Sequence, residues 1–159
     1  LVVDPVMVST SESRLLRDDA ISALQERLIP KARVITPNLP EAEVLLGRSI
    51  ESLDALKDAA REIGDRFGVA CALKGGHLPS EGQAAVVDVL YEGGRVEVFS
   101  VPRVTVGETH GTGCTFAAVI TAELAKGASL NGAVHSAQTF VAKALATAFH
   151  VGRHPPLGV

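Results

Sequence analysis

Short apolar runs alternate along the chain with stretches that are apolar on one side only. Val2–Val3 before Asp4-Pro5, Val34-Ile35-Thr36 before Pro37, and Val69–Leu73 before Lys74-Gly75-Gly76-His77 are apolar without alternation. That is the pattern of strands covered on both faces, as in a parallel sheet, and proline ends a ladder to which it cannot donate. Between them lie helical stripes. Arg17–Ile29 sets Ala20, Ile21, Leu24 and Leu28 on one face and stops at Pro30; Asn38-Leu39-Pro40-Glu41 opens a helix to about Leu46 with Gly47 as its left-handed cap. Ser52 caps a helix whose stripe is Leu53, Leu56, Ala60, Ile63 and Phe67, with Gly68 beyond it. Strict strand signals return at Ala85–Tyr91 and Val96–Val101, joined through Glu92-Gly93-Gly94-Arg95 as a hairpin. Thr109-His110-Gly111-Thr112-Gly113-Cys114 leads into a helix ending near Gly127. A last helix, about Leu130–Phe149, is expected to bury Val134, Ala137, Val141, Leu145 and Ala148. The tail Val151–Val159 reads as irregular.

Strands alternating with helices predict an α/β fold, a mostly parallel sheet with helices on both faces and an antiparallel hairpin at its edge. No repeat or linker splits the chain, so residues 1–159 are expected to be a single domain. In such sheets ligands bind beyond the carboxyl ends of the strands. Asp4, Asn38 with Glu41, Lys74 and the 109–115 loop all fall at such ends or just past them.

Composition narrows the function classes. The 159 residues are 47% apolar and carry a net charge of −3, with no basic block, so nucleic acid and anionic membrane are not expected partners. A chain of this length buries roughly 70% of its unfolded surface without crosslinks. Two cysteines, Cys71 and Cys114, are too few for a disulfide framework and point to a reducing, cytoplasmic compartment. No apolar run reaches the length of a membrane helix. The opening Leu1–Val8 lacks the basic lead of a signal peptide and starts in mid-strand, so further chain is expected upstream.

Each candidate residue has a plain reading beside its chemical one. Gly111-Thr112-Gly113-Cys114 at a helix start brings unpaired N–H groups close to a ligand and suits an anion, or it is a packing turn. Cys114 in that first turn has its thiolate favoured by the same groups, which suits it to accept a proton from a hydroxyl, or it is a small filler; Cys71, inside a strand, is a filler. Asp4 and Glu41 suit a hydrated Mg²⁺ shared with phosphates, or are a turn and a helix-dipole partner. Asn38 is a natural helix cap. Lys74 before two glycines suits phosphate oxygens, or is a solvated lysine. His77 and His110 are loop histidines within reach of a ligand; His135, His150 and His154 read as structural.

Taken together, Val3-Asp4-Pro5-Val6-Met7-Val8, Ile35-Thr36-Pro37-Asn38-Leu39-Pro40-Glu41-Ala42-Glu43, Leu73-Lys74-Gly75-Gly76-His77 and Thr109-His110-Gly111-Thr112-Gly113-Cys114-Thr115 resemble the hydroxymethylpyrimidine/phosphomethylpyrimidine kinase family of thiamine biosynthesis, within the ribokinase-like superfamily. Four stretches in order carry the resemblance, and cysteine after Gly-Thr-Gly is the sharpest. The resemblance implies a three-layer ribokinase-like fold of which this chain is the C-terminal portion, impaired on its own. It implies transfer of the ATP γ-phosphoryl group to hydroxymethylpyrimidine and then to its monophosphate. By that likeness Cys114 is the proton acceptor or substrate-activating residue, and the amides of Gly111, Thr112, Gly113 and Cys114 form an anion hole. Lys74 and Asn38 serve ATP, Asp4 and Glu41 organise Mg²⁺, and Val6 lies near the pyrimidine. Ser11-Glu12-Ser13, Glu108 and the tail from Gly152 depart from the family pattern, Glu108 adding negative charge beside the anion loop. A pyridoxal kinase and a non-catalytic nucleotide-binding remnant are the alternatives, and strand edges left open invite a homo-oligomer.

Overall fold

The three apolar runs form the parallel half of a five-stranded sheet. A computed structural model describes residues 1–8, 15–76, 78, 84–104 and 111–148. Strand β1 (Val2–Val3) pairs in parallel with β2 (Val34–Ile35), and β2 with β3 (Ala70–Lys74). β3 then pairs antiparallel with β4 (Ala85–Glu92), which turns into β5 (Arg95–Pro102), for a strand order β1-β2-β3-β4-β5. The turn places Gly93 and Gly94 at φ 57° and 84°. A two-residue hairpin turn with positive φ at both positions suits glycine, which takes that conformation freely.

The chain divides into two compact units, Leu1–Glu81 with Val87–Val98, and Gly82–Val86 with Phe99–Val159. The first holds α2 (Leu39–Leu46) and α3 (Leu53–Phe67) beside β1–β3. Its core includes Met7, Ile35, Leu56, Ile63, Leu73 and Val89, all fully buried. Both helices stop as the sequence predicts, at Gly47 (φ 69°) and Gly68 (φ 66°), and the Ser52 hydroxyl accepts the Ala55 N–H at 3.1 Å. The second unit contains α4 (Thr112–Ala125) and α5 (Leu130–Ala146), which pack against each other.

Two stretches differ from the sequence reading. Arg17–Ile29 is not one α-helix: α1 covers Asp18–Ala23, Leu24–Leu28 form a wider π turn, and Ile29–Lys31 a 3-10 turn. The wider turn rotates the later side chains off the expected face, so Leu28 is exposed and Ile29 is fully buried in its place. Pro30, expected to stop the helix, sits in the 3-10 turn, where its missing N–H costs nothing. Helix α5 ends at Ala146, short of the expected Phe149, which lies outside the described residues. Val134 and Ala137 are buried as expected, but Val141, Leu145 and Ala148 are only half-buried, while Ala144 among them is buried. Among the described residues, no helix is long and apolar enough to cross a membrane.

Candidate active site

Parallel register sets Val3, Ile35 and Cys71 in one row across β1, β2 and β3. The residues just past that row therefore share one end of the sheet. The Thr36 N–H donates to the Val3 carbonyl at 3.0 Å and the Lys74 N–H to the Pro37 carbonyl at 2.9 Å, with Asn38 bridged to Lys74. Asp4, Thr36, Asn38, Glu41 and Lys74 are held together by this knitting.

Asp4 is the centre of the cluster. Its Oδ1 accepts the Thr36 hydroxyl at 2.9 Å and the Lys74 ammonium at 3.1 Å. The two charged side chains are only 16% and 15% exposed, so the pair forms in a partly dry setting. A buried pair of this kind does little for net stability, because desolvating both charges offsets their attraction. Among the described residues, Asp4 Oδ2 has no hydrogen-bond partner.

Glu41 is more deeply placed, 2% exposed, and both its oxygens are engaged. Asn38 caps α2 by accepting the Glu41 N–H at 2.9 Å, while Glu41 Oε2 accepts the Asn38 N–H at 2.8 Å, a complete capping box. Glu41 Oε1 accepts the Met7 N–H at 3.4 Å, tying the chain beyond β1 to the start of α2. The cap readings of Asn38 and Glu41 are thus structural facts. Burial pushes the Glu41 carboxyl above the ordinary glutamate value, and the Asp4 charge adds to this; the Asn38 N–H, the Lys74 ammonium and the Met7 N–H pull the other way without reversing it. In this pH window the folded protein holds a proton that the unfolded chain has released. The part of the stability linked to that proton is therefore fully present below the ordinary glutamate value and lost as pH rises through the folded one, while the hydrogen bonds that Glu41 accepts remain. We expect the stability of E41Q to vary less with pH across that window than the wild type's, in denaturant titrations at a series of pH values; equal slopes would exclude Glu41 as the titrating group.

Val6, expected beside a substrate, is 45% exposed and donates its N–H to the Asp4 carbonyl at 2.9 Å. Among the described residues, no group of three or more acidic, histidine or cysteine side chains forms a metal cage. Mg²⁺ does not require one, since it keeps several waters and is held by one or two carboxylates with substrate phosphates. Asp4, with its Oδ2 left over, fits that chemistry directly, whereas both Glu41 oxygens already accept backbone N–H groups.

Gly111, Thr112, Gly113 and Cys114 lie in the second unit. Gly111 is the N-cap of α4 at φ 91°, a conformation costly for any residue with a Cβ, and its carbonyl accepts the Thr115 N–H at 2.9 Å. Among the described residues no side chain caps this helix, and the amides of Thr112, Gly113 and Cys114 in its first turn have no helical carbonyl to donate to. Cys114 is an exposed free thiol, whereas Cys71 is fully buried and burial pushes its thiol up, as a filler's would be. His135 stands beside the Phe99 ring at 6.3 Å between centroids. His77, Glu108, His110, His150 and His154 lie outside the described residues, as do Ser11-Glu12-Ser13 and the tail.

The family model described as phosphomethylpyrimidine kinase matches residues 1–157. The chain belongs to this family. It is 41% identical over 152 residues to the hydroxymethylpyrimidine/phosphomethylpyrimidine kinase of Bacillus subtilis, covering 96% of this chain and 55% of that protein. Among solved structures it is similar to a Bacillus subtilis pyridoxal kinase in complex with ADP, with a TM-score of 0.87 and 38% identity over 99% of this chain and 59% of that one. It is also similar to a phosphomethylpyrimidine kinase from Clostridium difficile, with a TM-score of 0.72 and 36% identity over 88% of this chain and 55% of that one. The chain therefore spans somewhat more than half the length of these relatives. The α/β fold is that of the ribokinase-like kinases.

Sequence reasoning missed Thr36, which is fully buried and donates to Asp4. Its signal was available: a hydroxyl at the end of an apolar strand, two residues before a helix cap, has to find an acceptor nearby. It also missed Asp88, a buried carboxylate in β4 that accepts the Gly75 N–H at 3.0 Å.

Proposed function

We propose that the chain is the C-terminal, nucleotide-handling portion of a kinase that transfers the ATP γ-phosphoryl group to hydroxymethylpyrimidine and to its monophosphate, giving the diphosphate used in thiamine assembly. The observation that carries this reading is the Asp4, Thr36, Asn38, Glu41, Lys74 cluster at the carboxyl ends of three parallel strands, in a chain of this family. The family resemblance reads residues 1–159 as part of one kinase domain.

Phosphoryl transfer asks the protein mainly for alignment and neutralisation of charge. Lys74 supplies a cation to the nucleotide phosphates, exchanging its Asp4 partner for phosphate oxygens, and Asn38 fixes the turn beside it. Asp4, with one oxygen already tied by Thr36 and Lys74, offers the other to a hydrated Mg²⁺, and Glu41 supports that site from the α2 cap. Mg²⁺, when bound, neutralises charge on the transferring phosphoryl oxygens. The first-turn amides from Gly111 to Cys114 receive an anion, Cys114 takes the proton of the attacking hydroxyl, and Val6 contacts the acceptor ring. The reading carries a small-molecule substrate, no nucleic acid or membrane partner, a cytoplasmic location and self-association through exposed strand edges.

The likeness to the Bacillus subtilis pyridoxal kinase favours a second reading, pyridoxal phosphorylation on the same site. Product formation from hydroxymethylpyrimidine, its monophosphate and pyridoxal, measured side by side on the intact protein with ATP and Mg²⁺, tests both. We expect the pyrimidines to be turned over faster; faster phosphorylation of pyridoxal would replace the first reading with the second, and binding of ADP without turnover of any acceptor would leave a nucleotide-binding remnant.

A further inference from the structure

We propose that Asp88 is a positioning residue for Lys74, acting through the peptide that follows it. The inference rests on the kinase reading only in assigning Lys74 to the nucleotide. Asp88 sits in the middle of β4, 5% exposed, in a run where Val89, Leu90 and Tyr91 are buried apolar or aromatic residues. A carboxylate there is costly unless hydrogen-bonded, and an apolar side chain would fill the position without that cost. Part of that cost is met at Gly75, whose N–H Asp88 Oδ1 accepts at 3.0 Å. Gly75 is the residue after Lys74, at the point where β3 leaves the sheet.

Two further observations tie this bond to Lys74. Asp88 lies directly opposite Lys74 in the antiparallel register, so both belong to the last rung of the β3–β4 ladder. Gly75 is pressed so close to β4 and α3 that an added Cβ would run into the Val87 carbonyl and would stand 2.7 Å from Leu56 Cδ2. Glycine permits that approach and the Asp88 carboxylate fixes its direction. Lys74 is thereby held from two sides, its ammonium by Asp4 at 3.1 Å and its trailing peptide by Asp88. A long, flexible lysine that has to meet phosphate oxygens loses less entropy on binding when its backbone is already fixed.

The test is a double-mutant cycle on the intact protein, with the dissociation constant of Mg-ADP read by calorimetry. Lys74→Ala and Asp88→Ala should each weaken binding, D88A by roughly 10-fold, the scale of losing a hydrogen bond to a charged group. In the K74A background D88A should add less than about twofold, because its effect passes through the lysine. Effects that add in full, or a D88A protein that binds Mg-ADP like the wild type, would overturn the proposal. If D88A does not fold, D88N serves in the same cycle, keeping an acceptor of about half the strength, with the same non-additivity expected. Amide hydrogen exchange at Gly75 gives an independent readout: protection lost in the Asp88 variant supports the bond, and unchanged protection refutes it. A wild-type protein that takes up no Mg-ADP sinks the kinase reading instead, and the exchange result still decides whether Asp88 holds Gly75.

Discussion

In the intact protein, replacing Cys114 by alanine is expected to lower kcat by roughly a hundred- to ten-thousand-fold, the usual worth of a positioned proton acceptor, while leaving Mg-ADP affinity within about twofold. Geometry explains why the two effects should separate. The groups offered to an anion at the start of α4 are backbone amides, held by the Gly111 cap at φ 91° and the Thr115-to-Gly111 hydrogen bond, and neither depends on the thiol. Cys114 is exposed and alanine is the better helix former, so folding should change by less than about 0.5 kcal/mol. The Cys114→Ser variant keeps the shape but offers a hydroxyl, which is a far weaker base, and should stay close to the alanine variant in rate. Steady-state turnover with each acceptor, beside calorimetry of the nucleotide, checks both halves. An unaffected rate would remove Cys114 from the mechanism; a loss of nucleotide affinity in step with the rate would make it a binding residue.

The second large effect concerns stability. Glu41→Ala should destabilise the protein by about 2–4 kcal/mol, because it leaves the buried N–H of Met7 and the half-buried N–H of Asn38 without their acceptors. The Asn38 Oδ1 to Glu41 N–H bond survives, being made by the backbone of residue 41, so the cap of α2 is weakened and not lost. The cost should appear as a lower urea midpoint in buffer free of divalent cations. That condition separates the two jobs given to Glu41, since a residue kept solely as a metal ligand would cost nothing there. Glu41→Gln should fall between wild type and E41A: its one amide oxygen can serve Asn38 or Met7, while its NH₂ group faces the other donor. Stability of E41A equal to wild type would remove the clamp role.

Much of the local architecture was legible because it rests on residues three or four apart or on single backbone conformations. Asn38 with Glu41, Ser52 with Ala55, the glycines ending α2 and α3 and the Gly93-Gly94 turn are all of this kind. The three strand ends were legible too, since proline or a charge follows each apolar run. The π and 3-10 turns after Ala23 were not: the apolar spacing from Ala20 to Leu28 fits an ordinary helix, and only the burial of Ile29 against the core selects the wider path.

What the sequence determined by itself was the family, the α/β class, and the roster of Asp4, Asn38, Glu41 and Lys74 as residues at the carboxyl ends of strands. What only the tertiary structure decided was how they are joined. The Thr36 and Lys74 bonds to Asp4 and the Glu41 bond to Met7 link residues 32, 70 and 34 positions apart, and the Asp88 bond to Gly75 reaches across an antiparallel pair. Such links depend on sheet register, and register is settled when many strands and helices bury their apolar faces together; no local window of sequence contains that information.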